Sequence, residues 1–281
     1  MKKIDLQTHT TASDGILSPK QLVDLAIKKG MKAIAITDHD TIAGISEAIN
    51  HALDKNIEIV PGVEISCREE EFKPTIDVIG LFINYKNKEL NNFLERFRNE
   101  RINEKKEMIK KLNNLGYEIT FNELIEESGD SIGRPTIARI LIRKYPEKFS
   151  SIEDVFSQLI GDGKKAFVSR KKSSMEEAIN IIKTAGGIPI LAHPGRYFND
   201  SLKIIEKFVL LKGAGIEIDY PYEKLLKLDF DLRPIFKKIA IEKGLFVSGG
   251  SDFHDFERGV EIGESGIDEA EFLKLKQYFK N

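Results

Sequence analysis

Five short apolar runs in this chain end on a histidine or a carboxylate, and that repeat restricts the folds open to it. KKIDLQT leads into His9, MKAIAIT into Asp38 and His39, IEIVPGV into Glu64, IPILA into His193, and LFVSGGS into Asp252 and then His254. Amphipathic stretches of helical period lie between the runs. In SPKQLVDLAIKKG, Ser18 is suited to cap a helix, Pro19 to open it and Gly30 to close it. Buried strands alternating with helices at this spacing predict an α/β fold of parallel strands joined by right-handed crossovers. Active sites of such folds lie beyond the carboxyl ends of the strands, where each of these polar residues falls. Side chains scattered by chance would not all appear at one end.

The alternation stops after about Asn84 and resumes with SMEEAINIIKTAGG. From Lys86 to about Lys165 the patterns are helical only, beginning with the long, charged KELNNFLERFRNERINEKKEMIKKLNNLG. Residues 86–165 therefore read as a helical insertion, a cap or lid, within a unit built from 1–85 and 166–281.

Composition removes several classes. Hydrophobic residues at 41% supply a core, and charged residues at 31% describe a soluble surface. A net charge of -2 gives no long-range attraction to nucleic acid or anionic membrane. One cysteine, Cys67, allows no internal disulfide and fits a reducing compartment. MKKIDLQTHT turns polar too early for a signal peptide, and no apolar run approaches a membrane span. The expectation is a cytoplasmic protein with no membrane contact and no obligate protein partner.

Imidazole and carboxylate bind borderline divalent metals, and four of the five histidines stand, together with carboxylates, at the ends of these apolar runs. Gln7 and His9 are two apart on a strand and share a face, a spacing that Asp252 and His254 repeat. Asp14 follows in a turn rich in Thr, Ser and Gly. Each residue alone has an ordinary use: His9 as a solvated strand end, Asp14 in a turn, Glu64 at a helix start. Asp40 or Thr41 is expected to cap the helix after ITDHDT, which leaves metal binding there to His39. Cys67 reads as a packing residue, His51 as a mid-helix surface or packed residue, and Lys164 with Lys165 as a solvated turn. Arg196 in LAHPGR suits a bidentate grip on phosphate, against the alternative of a surface ion pair. Arg134 in SIGRPT poses the same question.

Taken together, DLQTHTTASDG, ITDHDT, PGVEIS, LAHPGR and SGGSDFH resemble the PHP superfamily, the polymerase and histidinol phosphatase domain. GRPTIARIL, GDGKKAFV and LAHPGRY resemble its nucleoside 3′,5′-bisphosphate phosphatase branch, which includes RNA exonucleases. The resemblance implies a distorted seven-stranded (β/α) barrel with two or three divalent metal ions and hydrolysis of phosphate esters. Carried over by position, it assigns one metal to Gln7, His9, Glu64 and Asp252, a second to Glu64, Asp77 and His193, and a third to Asp14, His39 and His254. It also casts Asp252, His193 and Glu64 as catalytic, and Arg134 and Arg196 as substrate-binding.

The chain departs from the pattern at Gln7 and Asp77, where the family usually has histidine, and at Thr136, where relatives often carry histidine. Oxygen donors in place of imidazole make those metal positions harder. That favours manganese over zinc, with iron and magnesium as further options. Three functions stay open: a phosphoesterase acting on nucleotides or short RNA 5′ ends, a phosphatase of another metabolite such as histidinol phosphate, and a degenerate binding or regulatory module.

Overall fold

Seven strands lie side by side in chain order in one curled sheet: β1 Ile4–Thr8, β2 Ala33–Ile36, β3 Glu58–Cys67, β4 Ile76–Leu81, β5 Ile188–Leu191, β6 Gly215–Asp219 and β7 Phe246–Gly249. This is a computed structural model, and it describes residues 3–128, 133–169 and 171–280. Eleven helices are described: α1 Pro19–Lys28, α2 Ile45–Ala52, α3 Lys88–Asn114, α4 Phe121–Ser128, α5 Arg134–Lys144, α6 Ile152–Val155, α7 Met175–Thr184, α8 Ser201–Leu210, α9 Tyr222–Leu225, α10 Arg233–Lys243 and α11 Glu269–Lys280. Ser18 caps α1 in a capping box with Gln21, and Gly30 just beyond it has φ +70°, as the sequence predicts.

The sheet is not all parallel, which corrects the expectation of uniform crossovers. β1, β2 and β3 run parallel, as do β5, β6 and β7, but β4 is antiparallel to both β3 and β5. Residues 68–75 are too few for a crossover, which needs a dozen or more, so they turn the chain back as a hairpin. The outer strands then meet to give a distorted barrel. Thr8 bridges Phe253, the Asp252 N–H donates to Gln7 O at 3.0 Å, and the His9 N–H donates to Phe253 O at 3.0 Å. A Cβ on Gly250 would lie 2.4 Å from Gln7 N, so this seam admits no side chain there.

Alternation along the strands separates two cores. Ile34, Ile36, Val63, Ile65, Val78, Leu191, Ile216 and Ile218 pack outward against the helices. Ala33, Ala35, Val60, Ile79, Ile188 and Ile190 line the concave face together with Phe272 and Leu275 of α11.

The chain divides into two compact units, one of residues 1–94 and 172–281 and one of 95–171. The second is helical and has its own core, including Met108, Leu112, Ile137, Leu141 and Phe149. Among the described residues no helix is long and apolar enough to cross a membrane.

One capping expectation fails. α2 starts at Ile45 with Gly44 at its N-cap and no side-chain cap. Asp40 has φ +54° and ties the β2 loop to β3 instead: its N–H donates to Glu64 O at 2.8 Å and its Oδ1 accepts from the Ser66 N–H at 3.1 Å.

Candidate metal centre

The ends of β1, β2, β3, β5 and β7 converge, and the reversal of β4 brings Asp77, near its start, opposite Ser66 at the same rim. His9, Glu64, His193, Asp252 and His254 are buried, while the Asp14 side chain is 46% exposed. Three overlapping groups have ligand atoms within 4.8 Å of one another: His9, Asp14, His39 and His254; His9, Glu64 and Asp252; and His39, Glu64 and Asp77. His9 Nε2 lies 3.3 Å from Glu64 Oε2 and 3.2 Å from Asp252 Oδ1, and His39 Nδ1 lies 3.1 Å from Glu64 Oε2. His193 Nε2 is 3.2 Å from Glu64 Oε1 and 4.0 Å from Asp77 Oδ2.

The grouping differs in detail from that carried over from the resemblance. His9 also joins the Asp14, His39 and His254 set, and His39 rather than His193 completes a tight group with Glu64 and Asp77. Gln7 donates its Nε2–H to Glu64 Oε1 at 3.0 Å, and its own Oε1 has no partner among the described residues.

Several observations test whether cations fit here. Gln7 Oε1, both ring nitrogens of His9, His39 Nδ1, Glu64 Oε2 and His193 Nδ1 are buried without a hydrogen bond. Buried polar atoms are rarely left so, and those of His9, His39 and Glu64 fall within the overlapping groups. His254 Nδ1 lies 2.8 Å from Asp252 O, and donating to that carbonyl leaves Nε2 free, 3.4 Å from Asp14. Histidines that bind metal commonly donate their other N–H in this way. Arg258 Nη1 lies 3.0 Å from the same Nδ1 and donates to it in the other tautomer.

The electrostatics agree. Burial works against charge on Glu64, yet His39, His193 and His9 outweigh it and hold the carboxyl far below its usual range. Burial also opposes ionisation of Asp252, which His254, His9 and His193 hold well down. Asp14 is likewise lowered against burial by His254, His39 and His9. His9 is raised despite burial because Asp252 and Glu64 flank it, whereas burial and the charge of His9 lower His254. The pocket gathers negative charge that calls for cations, and this donor set fits divalent metals.

Supporting residues surround the centre. Asp38 Oδ1 accepts from the Thr10 N–H at 2.7 Å and the Ser13 hydroxyl at 2.6 Å, and its Oδ2 accepts from the Thr10 hydroxyl at 2.7 Å, fixing the loop that carries Asp14. Tyr220 donates to Asp252 Oδ2 at 3.1 Å, and Arg196 Nη1 lies 3.7 Å from the same oxygen. The sequence reading missed both Asp38 and Tyr220. Tyr220 directly follows β6, so the strand-end rule that found His9 and His193 points to it too.

Of the remaining candidates, Arg134 Nη1 pairs with Asp162 Oδ1 at 2.8 Å inside the helical unit, beside the rings of Phe156 and Phe167. Cys67 is fully buried, and burial pushes its thiol up, as suits a packing residue. His51 pairs with Asp24 at 2.8 Å on the surface.

A curled (β/α) sheet with a buried histidine–carboxylate cluster at its rim defines the class of metal-dependent hydrolases. Residues 5–183 match the PHP domain, and the chain belongs to that family. It is 35% identical over 268 residues to a 5′-3′ exoribonuclease of Haemophilus influenzae, covering 94% of each chain. It is 31% identical over 272 residues to a 3′,5′-nucleoside bisphosphate phosphatase of Chromobacterium violaceum, covering 94% of this chain and 92% of that one. A solved amidohydrolase structure from Chromobacterium violaceum, with bound sulfate and no metal, superposes with a TM-score of 0.80 at 29% identity, covering 98% of this chain and 96% of that one.

Proposed function

We propose that this chain is a phosphoesterase that hydrolyses phosphate esters of nucleotides, either 3′,5′-bisphosphates or the 5′ ends of short RNA, in the cytoplasm. The observation that carries the reading is the convergence of His9, Asp14, His39, Glu64, Asp77, Asp252 and His254 into overlapping groups of ligand atoms within 4.8 Å. The activities named for its relatives, and the sulfate held by a structural neighbour, support the substrate class.

Gln7, His9, Glu64, Asp77, His193 and Asp252 would hold one pair of cations, and Asp14, His39 and His254 with His9 a third. The four carboxylates and the amide make manganese the favoured metal. When bound, such cations supply a nucleophilic water near neutral pH and neutralise phosphoryl oxygens. The residues do the rest. Glu64, Asp252 and His193 form the reacting end. Glu64 reaches His9, His39 and His193 at once and so sets their spacing. Tyr220 donates to Asp252 Oδ2 at 3.1 Å and fixes that carboxylate. Arg196, 45% exposed and beside Asp252, offers its fork of N–H groups to a substrate phosphate.

The test is phosphate or nucleotide release from 3′,5′-bisphosphates, 5′-monophosphates and short 5′-phosphorylated RNA, with manganese, zinc or magnesium supplied in turn. Turnover of at least one nucleotide substrate with manganese is the expected result. Turnover only of a non-nucleotide ester such as histidinol phosphate, or of none, sinks the proposal.

A further inference from the structure

Glu217 is not among the cation-binding candidates, yet it is fully buried inside the barrel. Its neighbours in β6, Ile216 and Ile218, belong to the helix-facing core, so the two-residue period of the strand turns Glu217 to the concave face. Its register partner on β7 is Ser248. Glu217 Oε2 accepts the backbone N–H of His193 at 2.8 Å, whereas Oε1 and Ser248 Oγ have no partner among the described residues.

Burying an acid here, with one of its oxygens unpartnered, is costly. A hydrophobic residue of similar volume in such a place is often neutral or stabilising. The accepted bond is informative because of where it falls. His193 has φ +26° and ψ +62°, a strained backbone for a residue with a side chain, immediately after β5. That backbone aims the imidazole so that Nε2 lies 3.2 Å from Glu64 Oε1.

We propose that Glu217 is a positioning residue that acts through His193. Its carboxylate holds the His193 N–H, pins the left-handed turn after β5 and fixes the imidazole for cation binding. The proposal rests on the reading of this cluster as a cation centre. It gives a reason to keep a hydrogen-bond acceptor where packing alone favours an apolar side chain.

The experiment compares wild type, Glu217→Gln and Glu217→Met by calorimetric titration of the cation-free proteins with manganese, alongside their cation-free melting temperatures. The glutamine carbonyl can accept the same N–H, so Glu217→Gln is expected to bind within about twofold of wild type. Glu217→Met keeps the volume without the acceptor. Loss of an outer partner of a ligand weakens metal binding by about 10–100-fold, so its affinity is expected to fall at least tenfold, while the protein still folds with a melting temperature lowered by the loss of one buried hydrogen bond. Wild-type affinity in Glu217→Met overturns the proposal, as does its failure to fold or a loss in Glu217→Gln equal to that in Glu217→Met. If the wild type binds none of manganese, zinc or magnesium, the reading of the centre falls and this proposal with it.

Discussion

Gln7 donates its side-chain N–H to Glu64 Oε1 at 3.0 Å, the oxygen that also lies 3.2 Å from His193 Nε2. The amide therefore competes with a cation for a lone pair on the carboxylate most shared within the centre. It also turns a donor toward that carboxylate where an imidazole would offer a lone pair to the metal. Gln7→His is expected to raise manganese affinity by about tenfold, equivalent to about 1.4 kcal/mol. Titration of the cation-free protein measures this, and unchanged or weaker binding refutes it.

Asp38 bonds three donors with one buried carboxylate. Asp38→Ala leaves the Thr10 N–H and two hydroxyls without that partner, and an unsatisfied buried group costs roughly 1–3 kcal/mol. The expected loss is about 3 kcal/mol in denaturant unfolding, with weaker binding at the Asp14, His39 and His254 group. A loss below about 1 kcal/mol shows that water replaces the carboxylate without penalty.

Arg196→Ala removes a charged donor beside Asp252. KM for a nucleoside bisphosphate is expected to rise by about tenfold or more, as befits a hydrogen bond to a charged group. KM for a small aryl phosphate should change little. Equal changes for both substrates remove Arg196 from recognition of the larger one.

Cations should stabilise the fold, because His9, Glu64 and His193 are buried and retain unpartnered atoms. At a concentration 100-fold above Kd, a ligand specific to the folded state adds about 2.7 kcal/mol. Chelator treatment is thus expected to lower the melting temperature by roughly 5 °C, and manganese to restore it. A melting curve indifferent to both argues against occupied sites.

Much of this centre was legible before any coordinates. Apolar runs ending in His9, His39, Glu64, His193 and Asp252 expose polar side chains at one rim because parallel strands share a direction. The reversal of β4 was not legible, since an apolar run carries no arrow. Only the shortness of residues 68–75 hinted at it, although Asp77 still reached the rim. Asp40 was misread because an aspartate before a helix usually caps it, and here a left-handed backbone sends its side chain to Ser66 instead. The supporting roles of Asp38 and Glu217 are hidden from the sequence for a common reason. Both act on backbone N–H groups of other segments, a relationship that leaves no trace in local residue pattern.

The seam between β1 and β7 joins segments remote along the chain: His9 and Asp14 precede β2, whereas Asp252 and His254 follow β7. A polypeptide cut between β6 and β7 therefore lacks Asp252 and His254, two of the nine candidate donors, whatever else has folded. The donor set is complete only when the segment after β7 docks against β1, so cation uptake becomes a readout of sheet closure.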